Sequence, residues 1–250
     1  MHYLIKDTEF QKMLNSLLKI KGIHKRNLSR LRNFFEAIFY MSRAGCSWRL
    51  LPENYGSWRS LHRRFKLWSE RNIWQQIFED VRIDPDFEYL MIDSSVIRAH
   101  ACAAGYGKNS CEREALGRSK GGFTTKIHAI VDALGNPLKF SLTGGQRHDI
   151  TQAENLTQHF TGQYLMADKG YDSNAFIEKL ILKGFIPVIP SRRNRKEPRI
   201  YDEFLYQDRH RIECFFGKIK HFRRIATRYD KCANSYLSFL YFVGTLIWLR

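Results

Sequence analysis

Two short apolar runs in this chain each deliver an aspartate. Tyr89-Leu90-Met91-Ile92 leads into Asp93, with Val96 and Ile97 resuming beyond it, and Tyr164-Leu165-Met166-Ala167 leads into Asp168. A short apolar run of four bounded in this way reads as a strand. An acid within or at the end of such a run is costly to bury unless something binds it. The chain must therefore place two carboxylates on core strands, and no other feature narrows its folds as much.

The runs sit in a region of changed periodicity. Before Ile83-Asp84-Pro85-Asp86 the apolar residues recur at helical spacing; from Phe87 the period is two. The change predicts a boundary, with residues 1–85 all-helical and 86–250 an α/β domain. Leu28, Leu31, Phe34, Phe35, Ile38 and Phe39 predict a helix that stops near Ala44-Gly45, and Pro52 and Gly56 break the next stretch. Trp58, Leu61, Phe65 and Trp68 share one face of a second helix, whose remainder carries Arg59, His62, Arg63, Arg64 and Lys66. Asn72 is a candidate cap for a third, holding Ile73, Trp74, Ile77, Phe78 and Val81. Three short helices with a basic middle one suit a helix-turn-helix-like DNA module, with Arg63 and Arg64 as candidate contacts. The plainer reading of that face is a solvated one.

Beyond the first strand, residues 102–122 form a Gly-rich loop in which Lys108, Arg113, Arg118 and Lys120 could touch phosphate. Two strands follow, 124–133 and 137–144, joined by a turn at Leu134-Gly135-Asn136. Asp149 is placed to cap a helix from Thr151 to His159, and Ser173 to cap one holding Phe176, Ile177, Leu180 and Ile181. A short strand lies between Gly184 and Ser191, limited by Pro187 and Pro190, and a basic loop at 192–199 leads to the last charged helix.

That helix, read from Tyr206 to Arg228, carries seven Lys and Arg after Tyr206 but a single Glu, Glu213, from Arg209 onward. At about 100° per residue, Lys220 falls near −20°, Arg209 near −40° and Tyr206 near +20° from Glu213. Ile212, Phe215, Phe216 and Ile219 occupy the adjoining arc. Taken alone, the pattern is a salt-bridged surface helix.

The whole chain has 41 Lys and Arg against 25 Asp and Glu, a formal charge of +16. Such an excess repels itself unless a polyanion shares the field, and it points to nucleic acid. The basic residues spread along the chain, which argues against a membrane surface. Cys46, Cys102, Cys111, Cys214 and Cys232 form no CxxC pair, which speaks against a disulfide framework or structural zinc and fits a reducing cytosol. The start has no apolar core for a signal peptide, and Tyr236 to Leu249 reads as a buried terminal helix.

Asp93, Asp168 and Glu213 are oxygen-only ligands arriving on separate elements, a set that suits Mg²⁺ (or Mn²⁺). Two ions about 4 Å apart can activate a nucleophile and stabilise the leaving oxygen of a phosphodiester. Other acids read more plainly. Asp132 belongs to a turn, Asp149 to a helix cap rather than a ligand set, and Asp172 to the turn after Asp168. His128 and His148 read as hydrogen-bonded structural residues, and Cys214 as a small packed one.

The segments MIDSSVIRAH, GRSKGGFTTKIHAIVDALGNPLKFSLTGGQRHD, MADKGYDS and RHRIECFFGKIKHFRRIATRYDK resemble the IS4-type transposase domain. With GCSWRLLPENYGSWRSLHRRFKLW nearer the start, nearly the whole chain resembles the IS5 family of insertion-sequence transposases. The most specific motif is Y-x2-R-x3-E-x6-K, matched by Tyr206, Arg209, Glu213 and Lys220. The resemblance implies an RNase H-like mixed sheet flanked by helices, with Asp93, Asp168 and Glu213 as a DDE triad that binds divalent metal. Asp93 would bridge two ions, which Asp168 and Glu213 would each complete. It also implies cutting at transposon ends, joining of the 3′-hydroxyl to target DNA, and Tyr206, Arg209 and Lys220 against the DNA. The 44 residues from 169 to 212 leave no room for a large insertion domain. The expected partners are double-stranded DNA (terminal inverted repeats and target) and a second copy, as a homodimer on DNA. Neither a membrane nor a small-molecule cofactor is expected, and the place is the bacterial cytoplasm, on the nucleoid. A DNA-binding derivative without activity and an RNase H-like nuclease without strand transfer are the competing readings.

Overall fold

The computed structural model describes residues 5–23, 27–103, 114–119 and 122–250. The chain divides into two compact units, one of Met1–Ile83, Arg98–Lys108 and Ile219–Arg250, the other of Asp84–Ile97 and Asn109–Lys218. The expected phosphate contacts Lys108, Arg113 and Lys120 lie outside the described residues.

The first unit is helical: α1 (Asp7–Lys19), α2 (Leu28–Ala44), α3 (Trp58–Glu70) and α4 (Ile73–Val81), with α9 (Arg223–Ala226) and α10 (Ala233–Trp248) from the far end of the chain. α2 starts where the Asn27 side chain accepts from the Arg30 N–H at 2.9 Å and ends at Gly45, whose φ of 65° takes the chain out left-handed. Leu61, Phe65 and Trp68 of α3 are buried as expected. Phe65 stacks on Phe239 of α10 at 4.4 Å between ring centres, and Trp74 of α4 meets Phe34, Phe65 and Phe242 within 5.8 Å. Burying each such ring contributes about 1.5–3 kcal/mol. α10 is buried around most of its circumference because it is the spine of this core. Among the described residues no helix is long and apolar enough to cross a membrane. Asn72 takes a left-handed φ of 53° but makes no side-chain cap. Its carbonyl accepts from the Gln76 N–H at 3.0 Å, so α4 starts with a backbone bond and no side-chain cap.

The second unit is a mixed sheet with helices. Its strands are β1 (Tyr89–Ala99), β2 (Gly117–Ser119), β3 (Gly122–Val131), β4 (Pro137–Gly144), β5 (Tyr164–Met166) and β6 (Ile186–Val188), ordered β2-β3-β1-β5-β6 with β4 also on β3. The last two residues of β1, Arg98 and Ala99, belong to the first unit and pair there with β7 (Thr227–Arg228). The β3–β4 hairpin is antiparallel, and its turn is organised by buried Asp132. That carboxylate accepts from the Leu134 and Asn136 N–H groups at 3.0 and 2.7 Å, the turn role expected of it. β1, β5 and β6 are parallel, and helices α5 (Ile150–Thr157) and α6 (Asn174–Leu182) make the crossovers between strands. α5 is shorter than the Thr151–His159 expected, and Ser173 precedes α6 without a side-chain capping bond.

The single helix expected from Tyr206 to Arg228 is broken. α7 (Glu203–Tyr206) runs through a 3-10 turn at Gln207–Arg209 into α8 (His210–Lys220), and α9 and β7 follow as separate elements. Ile212, Phe215 and Phe216 of α8 are buried, Phe215 stacking at 6.0 Å on Phe140 of β4. The apolar stripe was read correctly; its continuity was not. Arg224 and Arg228, counted in the basic face of that helix, are almost wholly buried in the first unit. Arg224 pairs with Asp230 at 2.7 Å, and Arg228 donates to the Asp230 carbonyl at 2.9 Å. They are structural cations of the helical core.

Candidate active site at the ends of adjacent strands

β1 and β5 pair in parallel with Met91 opposite Met166. Two residues beyond each methionine stand Asp93 and Asp168, so the register brings both acids to one level of the sheet. Apolar strands explain the placement, since burial fixes a parallel pair's register against slipping. Asp168 ends its run at a 3-10 turn, Lys169–Tyr171, whose Gly170 N–H donates to Asp168 Oδ1 at 2.9 Å. A Cβ on Gly170 would stand 2.9 Å from that same oxygen, so glycine leaves the carboxylate its place.

Arg209 joins the third acid to the first. Its guanidinium donates to Asp93 Oδ2 at 2.9 Å and to Glu213 Oε1, and it lies over the Tyr206 ring at 5.7 Å. The 3-10 turn does not spoil this contact, because Arg209 and Glu213 still lie about one turn apart. Burial works against the Arg209 charge, but Asp93, Tyr206 and Glu213 outweigh it and hold its pKa above the ordinary value. Burial also pushes the Asp93 carboxyl up to about 6, with Asp168 adding to the shift and the Ser94 N–H and Arg209 opposing it. Tyr206 feels Asp168 too; burial chiefly, and that carboxylate secondarily, raise its hydroxyl.

Among the described residues no three His, Cys, Asp or Glu side chains stand close enough to share one ion. A guanidinium stands between Asp93 and Glu213. It is itself a stand-in cation, and carboxylate oxygens are the donors that hard divalent ions take, so the residues fit such an ion.

A fourth acid belongs here. Asp149 precedes α5, but its side chain makes no capping bond and turns to other partners. Ser94 Oγ donates to Asp149 Oδ1 at 2.6 Å, and Lys126 Nζ lies 2.8 Å from the same oxygen. The fully buried His128 binds Thr143 at 2.8 Å through Nε2, the structural role expected, while Nδ1 lies 3.8 Å from Asp149 without a hydrogen-bond partner. Burial lowers its pKa to about 4, so it is neutral. The Tyr171 hydroxyl is buried without a hydrogen-bond partner, and after burial itself Asp149, Asp93 and Asp168 are what raise its pKa. Ser94, Lys126, Asp149 and Tyr171 thus form a polar floor around the acid pair. Sequence reasoning missed all four as site residues; Ser94, next to Asp93, is the one whose position alone could have flagged it.

Of the remaining candidates, Lys220 is exposed at the end of α8, two turns beyond Glu213, and Arg118 is exposed on β2. Arg63 is exposed on α3, whereas Arg64 is half-buried with its guanidinium 5.2 Å from the centre of the Phe34 ring. His148 is exposed, and so is Cys214, which points outward beside Glu213 instead of packing. Asp172 does more than shape a turn. Its buried carboxylate takes Arg195 at 2.8 and 2.9 Å, Arg199 at 3.4 Å and the Arg192 N–H at 2.9 Å.

Residues 5–78 match the family described as "Putative transposase of IS4/5 family", and residues 85–240 match the "Transposase DDE domain". The "Putative transposase for insertion sequence element IS6501" of Brucella ovis is 42% identical over 132 residues, 51% of this chain and 99% of that protein. Its counterpart for element IS402 of Burkholderia cepacia is 30% identical over 128 residues, 46% of this chain and 58% of its own length. A solved piggyBac transposase synaptic complex with hairpin DNA is a loose likeness, at 15% identity and a TM-score of 0.42 over 77% of this chain and 48% of that one.

Proposed function

The chain belongs to the IS4/5-family transposases with a DDE domain, which cleave DNA and transfer strands, and on that premise we propose that Asp93, Asp168 and Glu213 are its catalytic carboxylates. The observation that carries the reading is the parallel register of β1 and β5, which sets Asp93 and Asp168 level, together with the Arg209 bridge from Asp93 to Glu213. Two Mg²⁺ or Mn²⁺ ions held by these three acids would supply the activation of the attacking oxygen and the stabilisation of the leaving one.

The protein's own residues do the positioning. The Ser94 N–H at 2.7 Å fixes the Asp93 carboxylate, and the Gly170 N–H fixes that of Asp168. Arg209 offers a planar fork that suits a phosphate as well as a carboxylate. Lys220 adds a second positive charge for the backbone, and Tyr206 packs against the strand being cut. Residues 1–85 serve as the DNA-binding region, with Arg63 and Arg64 on its basic helix, and 86–250 as the catalytic domain. Arg118 and Lys120 extend the phosphate contacts. The substrates are the terminal inverted repeats and target DNA, joined through the 3′-hydroxyl by a homodimer, in the bacterial cytoplasm on the nucleoid.

Glu213→Gln tests the reading. The variant should bind end-bearing duplex as the wild type does and lose metal-dependent cleavage by at least about a thousandfold, the scale of removing one essential group. Undiminished cleavage would sink the assignment of Glu213.

A further inference from the structure

Beside Asp168 the second unit has a cavity of about 450 Å³, walled by Lys126, Arg147, Asp149, Lys169, Arg192 and Arg193. We propose that it is a phosphodiester subsite, holding the DNA backbone next to the turn that carries Asp168. The inference deepens the reading of Asp93, Asp168 and Glu213 as the cutting centre by naming where the strand is gripped.

Charge is the first argument. Five Lys and Arg face one carboxylate, and Asp149 is already engaged by Ser94 and Lys126. Arg192 is held by carbonyls, its Nε donating to Lys169 O at 3.2 Å and its Nη2 to Gly170 O at 2.8 Å. Carbonyls fix a guanidinium in place without cancelling its charge. Among the described residues Lys169 and Arg193 make no ion pair, so the wall keeps a surplus that only an anion relieves.

Construction is the second argument. The buried Asp172 collects Arg195 and Arg199 and anchors the Arg192 N–H. One acid thus absorbs two arginines of the basic loop and leaves the two before them, Arg192 and Arg193, on the cavity wall. The position of the loop is fixed before any ligand arrives, which lowers the cost of ordering side chains on binding. The floor is the Lys169–Gly170 turn, which also holds the Asp168 carboxylate, so a phosphate here lies within one residue of a proposed catalytic acid. The volume is at the small end for ligand sites and suits one nucleotide unit of a strand.

Two DNA sources share this chemistry, the end being cut and the target. The test is anisotropy binding in chelator, at several salt concentrations, of an end-bearing duplex and an end-less duplex of equal length. Arg193→Gln and Arg193→Glu alter an exposed wall residue, and Lys196→Gln, an exposed cation of the same loop outside the cavity, is the control. Losing one phosphate contact should lower the slope of log affinity against log salt by about 0.9, with the Glu variant binding more weakly still. Loss for the end-bearing duplex alone assigns the subsite to the cut strand; equal loss for both assigns it to backbone of either DNA. Wild-type affinity and slope in both Arg193 variants would overturn the proposal, as would an equal loss in Lys196→Gln. Binding is read without metal or cleavage, so this outcome is independent of the Glu213 test.

Discussion

Asp93→Asn should make the protein more stable while abolishing its cleavage. Burial and the neighbouring Asp168 lift the Asp93 carboxyl from its ordinary 3.8 to about 6. At about 1.4 kcal/mol per tenfold in proton affinity, keeping that group ionised costs the folded chain about 3 kcal/mol. The sign follows from where the proton sits. Below pH 3.8 both folded and unfolded chains hold it, and no cost arises. Between 3.8 and about 6 the folded chain keeps the proton that the unfolded chain releases, so stability falls as pH rises. Above about 6 the full cost stands, and a neutral asparagine of the same shape removes it. In chelator at about pH 8 the variant should gain about 3 kcal/mol, or roughly 6–12 °C in Tm for a chain of this size. Near pH 3.5 the gain should vanish. Urea unfolding followed by tryptophan fluorescence across that range measures it. Adding Mg²⁺ should stabilise the wild type and leave the variant unmoved, since only a ligand that binds the folded state shifts the balance. A variant no more stable than wild type at about pH 8 would refute the claim that the Ser94 N–H and Arg209 only partly offset the burial of this carboxylate.

Two further substitutions probe the frame around the site and the core of the helical unit. Gly170→Ala places a methyl 2.9 Å from Asp168 Oδ1 and should cut cleavage by about ten- to a hundredfold with Tm nearly unchanged, read by a nicking assay beside a thermal melt. Gly45→Ala forces a side chain onto a φ of 65° and within 2.9 Å of Arg223 Cβ. It should cost about 1–2 kcal/mol from the left-handed backbone alone, measurable by urea unfolding.

How much of this was legible in the sequence differs from element to element. Asp93 and Asp168 could be found because a strand buried on both faces leaves an unbroken apolar run, and an acid in it stands out. The register that sets them level could not, since it depends on which strands pair. Asp149 was misread because its neighbours offer a local explanation, an acid just before a helix. Its partners, Ser94 and Lys126, come from other strands, which local sequence does not show. The break at Gln207–Arg209 was hidden for a related reason: a 3-10 turn keeps the apolar stripe facing the sheet, so the helical period survives it. Arg224 and Arg228 looked like surface charge because composition cannot tell an exposed cation from one paired within a core. Charge density pointed to nucleic acid without saying which cations face it.

Arg209 gives the Asp93–Glu213 pair a cation of its own. A divalent ion held by Asp93 would therefore compete with a guanidinium, an exchange of cation for cation rather than the neutralisation of bare anions. The displaced group is a fork built for phosphate, and DNA lying over the site is the anion able to receive it. Ion and DNA would then tighten one another by the same free energy, because linkage is reciprocal. On that reading an ion at Asp93 would be held more firmly with DNA over the site than without it, and the two would arrive as partners rather than in turn.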